Sequence, residues 1–211
     1  MIEFYSNEPS ETWRFGDVIQ GFINVTPTIN KPTDSNPKYD IKIEHNLYFA
    51  ILSPCCSIDS QTISLAPLIP LNSHFLKNEY IKEDFTRINN KIESQHSIPT
   101  KGWNSLNAEE KTNLLEQGEK YIYIEQFVYQ KSDLLQEYDY DDPVQKAKIK
   151  LGYYMIDFRD VFKVSCDLIK RNNDMPKGLK ILELSLDSRN ELRNKIKEYY
   201  RTPAEDLALM D

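Results

Sequence analysis

The densest apolar run in the chain is Tyr48–Leu52, where every position is hydrophobic. Such a run predicts a strand covered on both faces. It is followed by Thr62–Leu68, in which Ile63 and Leu65 alternate with polar neighbours, the pattern of a second strand. Pro67 and Pro70 cannot donate to a ladder, so this second strand ends at, or lies on, a sheet edge. Ser53–Asp59 reads as the turn between them.

Upstream, Trp13–Val25 carries Phe15, Val18, Ile19, Phe22, Ile23 and Val25 and predicts the first firm strand. Gly16-Asp17 supplies a turn at its start, and Gly21 a bend within it. Thr26–Lys38 holds three prolines and reads as a loop. Tyr39–Glu44 alternates strictly between apolar and polar residues, as an edge strand half in solvent does.

After Asn72 the period changes. Phe75, Leu76, Tyr80, Ile81, Phe85, Ile88 and Ile92 follow helical spacing and predict one long helix. A second helix is predicted over Ala108–Gln117, with Asn107 as N-cap, Glu110 at the capping-box position and Gly118 after its end. Strands are then predicted at Lys120–Tyr129, Lys148–Phe158, Phe162–Ile169 and Leu179–Leu186, with an acidic loop at Ser132–Pro143. Ser188 with Glu191 forms a capping-box pattern for a last helix, whose apolar stripe is Leu192, Ile196, Tyr199 and Tyr200.

Strands, a helical insertion, more strands and a closing helix together predict an α+β fold. The expected architecture is a single domain over residues 1–211. A small, mostly antiparallel SH3-like β-barrel spans about 13–72 and 119–186, with a helical insertion at about 73–118 and a C-terminal helix at about 187–201.

Charge narrows the function classes. The 211 residues carry a net charge of −7, which weighs against broad electrostatic binding to nucleic acid. No apolar stretch reaches the ~18–20 residues of a membrane span, and the N-terminus lacks the basic-then-apolar order of a signal peptide. Three cysteines, two of them adjacent, do not make a disulfide framework and point to a reducing cytoplasm.

Two residues stand out for chemistry. Cys56, in the predicted turn, is a candidate nucleophile; it would need a base or a positive field to form its thiolate, and His45 and His74 are the nearest imidazoles in sequence. Asp17, after Gly16, is the candidate carboxylate, although a turn-forming Asp is the commoner reading. Ser53, Cys56, Ser57 and Asp59 are the candidate binding residues, because turns at strand ends expose backbone donors and small side chains. Cys55, Cys56, His74 and Cys166 match no standard zinc spacing, so neither a metal nor another cofactor is expected. There is no phosphate-binding glycine loop, Gly-x-Ser-x-Gly or His-Glu-x-x-His.

Phe15-Gly16-Asp17-Val18, then Ile51-Leu52-Ser53-Pro54-Cys55-Cys56-Ser57-Ile58, then Leu65-Ala66-Pro67 resemble motifs of a poorly characterised bacterial family with the order G-D-V, S-x-x-C-D-I and A-P. The first half is also similar, more remotely, to the SH3-like barrel of the MazF/PemK toxins. The resemblance implies a barrel and a setting in bacterial or phage conflict systems. Two positions depart from it: Ser57 stands where the family has Asp, and no Arg-Pro precedes Tyr48 as it does in the toxins. Three functions follow as expectations. The first is a non-catalytic binding or adaptor module acting through a protein partner or a second copy of itself. The second is an enzyme with its site at the Ser53–Asp59 turn, using Cys56 and Asp17. The third is a MazF-like toxin acting on nucleic acid, which the acidic balance disfavours.

Overall fold

The fold is α+β, and every ladder described below is antiparallel. The computed structural model of the chain describes residues 3–30, 38–54, 62–71, 75–77, 81, 84–89, 102, 105–116, 126–142, 146–165 and 179–200. These fall into two units. One contains Tyr5–Ile69 and Arg159–Ser185, the other Met1–Phe4, Pro70–Phe158 and Leu186–Asp211.

The first unit is built on β1 (Val18–Ile19), which pairs with β4 (Tyr48–Ile51) on one side and β11 (Lys180–Leu182) on the other. β4 pairs in turn with β5 (Thr62–Pro70), and β5 with β10 (Phe162–Ser165). All four residues of β4 are buried, as its unbroken apolar run predicts. Trp13, Ile19, Phe49, Ile51, Ile63 and Leu65 form the core, with Phe22, Phe162, Val164 and Leu179 against it. Trp13, Phe22, Phe49 and Phe162 meet successively edge to face, at centroid distances of 6.5, 6.1 and 5.5 Å.

The long first strand expected over Trp13–Val25 is interrupted by its glycines. Gly16 has φ 85° as the third residue of a turn closed by Asp17 N–H donating to Arg14 O at 3.1 Å. Gly21 has φ 89°, and a Cβ there would lie 2.9 Å from Leu179 Cδ2. Only Val18–Ile19 remain as strand before the chain turns into β2 (Asn24–Asn30). Of the expected loop at Thr26–Lys38, the part up to Asn30 is therefore strand, and residues 31–37 lie outside the described residues. β2 forms a two-stranded ribbon with β3 (Lys38–Glu44), with Pro27 opposite Ile41. A ribbon strand has a free outer edge, and there a proline removes no ladder bond.

In the second unit, β6 (Val128–Tyr129) pairs with β9 (Tyr154–Ile156). The acidic segment read as a loop contains β7 (Tyr138–Asp142), which pairs with β8 (Ala147–Leu151). Register explains the difference: Asp139 stands opposite Lys150 and Asp141 opposite Lys148, so the acid run has a basic partner strand. The expected strand Lys148–Phe158 breaks at Gly152-Tyr153 into β8 and β9.

The expected long helix after Asn72 is also broken. Among the described residues, Phe75–Lys77 and Phe85–Asn89 are 3-10 turns and Ile81 is α-helical; Asp84, which interrupts the pattern, accepts the Thr86 N–H at 2.9 Å, as a new helical start does. The apolar positions Phe75, Ile81, Phe85 and Ile88 are nonetheless buried. α1 (Ala108–Glu116) forms where expected, with Asn107 and Glu110 exchanging bonds of 2.8 and 2.9 Å in a reciprocal capping box. α2 (Leu186–Tyr199) starts two residues before Ser188, which is the third helical residue rather than the cap; Ser185 precedes the helix directly. Of its apolar stripe, Leu192 is fully buried and Tyr199 meets Phe158 at 5.1 Å. Tyr129 and Tyr154 are buried.

Candidate functional site

In the first unit a single lysine gathers a charged cluster. Lys180 Nζ lies 2.8 Å from Asp17 Oδ2 and 2.6 Å from Glu183 Oε2. It also donates to the carbonyls of Ser10 and Thr12, at 3.0 Å each. Glu183 Oε2 accepts the Ser10 N–H at 2.7 Å, its Oε1 lies 3.6 Å from Arg14, and Asp17 Oδ2 accepts the Arg14 N–H at 2.7 Å. β1 and β11 are neighbours in the sheet, which is why residues 170 positions apart in sequence meet. The cluster ties the segment before β1 to the strand that follows far later.

Its electrostatics are uneven. Asp17 has no exposed surface, and its Oδ1 has no hydrogen-bond partner. Burial pushes its carboxyl up from 3.8 to about 6, against the pull of Lys180 and the Arg14 amide, and the Glu183 charge adds to the rise. Burial also acts to raise Glu183. There the Lys180 and Ser10 bonds and the charges of Lys180 and Arg14 outweigh it and hold the carboxyl below its usual range.

The two acids therefore act oppositely on stability. A carboxyl with a raised folded pKa stabilises most below its unfolded value and loses that contribution as pH rises through the folded value. For Asp17 the loss runs from 3.8 to about 6. Glu183 contributes above its unfolded value and loses its contribution as pH falls through its lowered folded pKa. Asp17→Asn removes the first effect. Its stability relative to the unaltered protein is expected to improve by about 2 kcal/mol between about pH 4 and about pH 7. Urea unfolding of both proteins at the two pH values measures this, and a difference that stays constant with pH excludes the raised carboxyl.

Of the sequence-predicted site residues, the structure brings Asp17 and Ser53 onto adjoining strand ends. Asp17 O accepts the Ile51 N–H at 3.0 Å, two residues before Ser53. Ser53 is buried, and its Oγ accepts the Ser64 N–H at 2.8 Å, closing the base of the β4–β5 connection. Cys56, Ser57 and Asp59 lie outside the described residues. Asp17 reaches no solvent, and its ionised oxygen Oδ2 is held by Lys180 and Arg14, so its chemistry here is to anchor the cluster. Lys180, Glu183 and Arg14 carry no signal in sequence, since each is an ordinary charged residue until the sheet assembles.

The other candidate surface is the β2–β3 ribbon. Its register pairs Val25 with Ile43, and along β3 Ile41 and Ile43 alternate with Asp40, Lys42 and Glu44. Residues that pair directly share a face, so one face is apolar and the other polar. The apolar face is open: Ile41 is 67 % and Ile43 54 % exposed, and Ile23, Val25 and Leu47 are exposed to a similar degree. The strict alternation of Tyr39–Glu44 was the sequence signal for this surface, but it indicated that the apolar side would be covered.

Among the described residues no group of His, Cys, Asp and Glu could hold a metal ion, and no helix is long and apolar enough to cross a membrane. No family model, no curated protein and no solved structure matches this chain.

Proposed function

We propose that the protein is a non-catalytic binding module that acts on a protein partner, with the apolar face of the β2–β3 ribbon as its contact surface. The observation that carries this reading is the solvent exposure of Ile41, Ile43 and Val25 on one ribbon that, among the described residues, has two strands, with Ile23 exposed just ahead of it. A two-stranded ribbon is marginally stable alone, and clustered exposed aliphatic residues mark interaction sites where single ones do not. A partner that is apolar at this contact is the best fit, because the register positions of the face carry no charge over Val25–Pro27 and Ile41–Ile43. A small SH3-like barrel is part of the same reading, supported by the successive antiparallel strands β11, β1, β4, β5 and β10. The motif resemblance supplies a setting, a bacterial or phage conflict system.

The test is a paired substitution, Ile41→Asp with Ile43→Asp. Both side chains are largely exposed, so folding stability is expected to change by no more than about 0.5 kcal/mol for each. Full burial of an isoleucine against a partner contributes about 1.5–3 kcal/mol, so partner affinity is expected to fall at least about 100-fold. Co-purification from the source cell, followed by titration of the recovered partner with both proteins, measures it. Equal affinity of the variant excludes this face as the contact surface.

A further inference from the structure

We propose that the outer edge of β3 pairs with the β3 edge of a second copy of the chain, joining two ribbons into one four-stranded antiparallel sheet about a two-fold axis at Ile41. Among the described residues, β3 has β2 on one side and no strand on the other. Pro27 stands opposite Ile41 and has no N–H to give it. That pair is therefore the open kind in an antiparallel ladder, in which backbone N–H and C=O point away from the partner strand. On β3 these groups at Ile41, and at the positions two residues to either side, face the outer edge. On β2 the same geometry turns the missing donor of Pro27 outward, which blunts that edge for pairing.

The sequence of β3 says which second strand fits. In antiparallel pairing centred on Ile41, Ile41 meets Ile41 of the other copy. Asp40 then stands opposite Lys42 of the other copy and Lys42 opposite its Asp40; one step further out, the position of Lys38 stands opposite that of Glu44. Every charged position of the polar face thus meets an opposite charge. Centring on Lys42 would set Lys42 against itself and Asp40 against Glu44, and centring on Asp40 would set Asp40 against itself and Lys42 against Lys38. Registers between these put apolar positions onto the polar face. The registers centred on Tyr39 and Ile43 also avoid like charges but set only a short end of β3 against its copy; the Ile41-centred register alone pairs the whole strand without a like-charge pair, and like charges directly opposite are destabilising.

The consequence is geometric. The apolar faces of the two ribbons become one continuous surface, with Ile41 of each copy at its centre and Val25 and Ile43 beside it. This pairing uses the edge of the ribbon and leaves its face open, so it stands or falls separately from the partner contact. Two seven-residue strands bury much less than the ~1,200 Å² of a standard interface, so the association is expected to be weak and reversible.

Sedimentation velocity over about 1 µM to about 1 mM protein tests it, using the full chain and four proteins. The unaltered chain is expected to pass reversibly from monomer to dimer. Asp40→Lys alone sets a lysine of one copy against a lysine of the other, and Lys42→Asp alone sets an aspartate against an aspartate. Each change acts twice by symmetry and is expected to weaken dimerisation by about tenfold or more. The double exchange, Asp40→Lys with Lys42→Asp, restores opposite charges and is expected to return the dissociation constant to within about threefold of the original. A chain that stays monomeric throughout, single exchanges without effect, or a double exchange without rescue overturns the proposal. A cross-linking arm does not depend on the charge variants. Under mild oxidation Ile41→Cys is expected to give a covalent dimer, and Val25→Cys, on β2 and one strand away from the seam, is not. Equal yields from the two also overturn it.

Discussion

Replacing Lys180 by methionine is expected to destabilise the protein by about 3–5 kcal/mol near neutral pH. Methionine keeps most of the length and the apolar stem of the side chain and removes only the ammonium. That ammonium serves four acceptors: Asp17, Glu183 and the carbonyls of Ser10 and Thr12. Without it two carboxylates face each other in a buried site, and two carbonyls lose a donor. A partner removed from a buried ion pair costs far more than the pair contributes net, because the remaining charge stays desolvated. Asp17, already poised near pH 6 by burial, takes up a proton first. The loss is therefore expected to shrink as pH falls towards about 5, and Lys180→Met with Asp17→Asn is expected to recover about half of it. Urea unfolding across pH measures all three. A loss below about 1 kcal/mol for the single change would mean that water screens the cluster as it does a surface pair. Hydrogen exchange adds a local readout: the Ser6 and Gln20 amides, bonded to Glu183 O and Leu179 O, are expected to exchange faster in the variant.

Asn89→Leu is expected to cost about 4 kcal/mol in the second unit. The Asn89 amide donates to Val128 O at 2.7 Å, and its oxygen accepts the Val128 N–H at 2.6 Å. β9 bonds β6 from one side, through the Ile156 N–H donating to Phe127 O at 3.1 Å. The Val128 groups point to the other side, where no strand follows among the described residues. The side-chain amide takes the place of a missing strand. Leucine has the same branched outline with more bulk, and it leaves a buried N–H and a buried C=O without partners, at about 1–3 kcal/mol each. Asn89→Asp keeps the acceptor and loses the donor, and it is expected to be more stable in mild acid, where the carboxyl can donate, than at pH 7. Thermal unfolding of both variants at the two pH values checks the assignment. A cost below about 1 kcal/mol for Asn89→Leu would show that water satisfies Val128.

Both effects depend on groups distant in sequence, and this separates what could be read from the chain alone. The capping box at Asn107 and Glu110, the turn at Gly16-Asp17, the bend at Gly21 and the double-sided burial of Tyr48–Ile51 are local consequences of residue type and period. They were legible because the atoms that decide them lie within a few residues. The α+β class follows from the same local patterns. The strand at Asn24–Asn30 and the acidic strand Tyr138–Asp142 were not legible, because proline and aspartate disfavour strands in isolation. They are overridden by a ribbon edge at Pro27 and by Lys148 and Lys150 across the ladder. The division of the helical pattern after Asn72 was hidden for a related reason: helical spacing marks which residues are buried, and Phe75, Ile81, Phe85 and Ile88 are, without requiring that one helix carry them.

The candidate site divides in the same way. Asp17 could be singled out from its place after a turn glycine, and Ser53 from its place at the end of an apolar strand. That Asp17 is an anchor beneath Lys180 is set by the adjacency of β1 and β11, which no local pattern encodes. The alternation of β3 determines that one side of the ribbon is apolar. Whether that side is covered depends on what lies above it, and only the assembled chain, which leaves Ile41 and Ile43 in solvent, decides it. Sequence sets periods and local hydrogen bonds, because those energies act over a few residues. Burial, ion pairing and exposure are set by distances through space, which exist only once the sheet has formed.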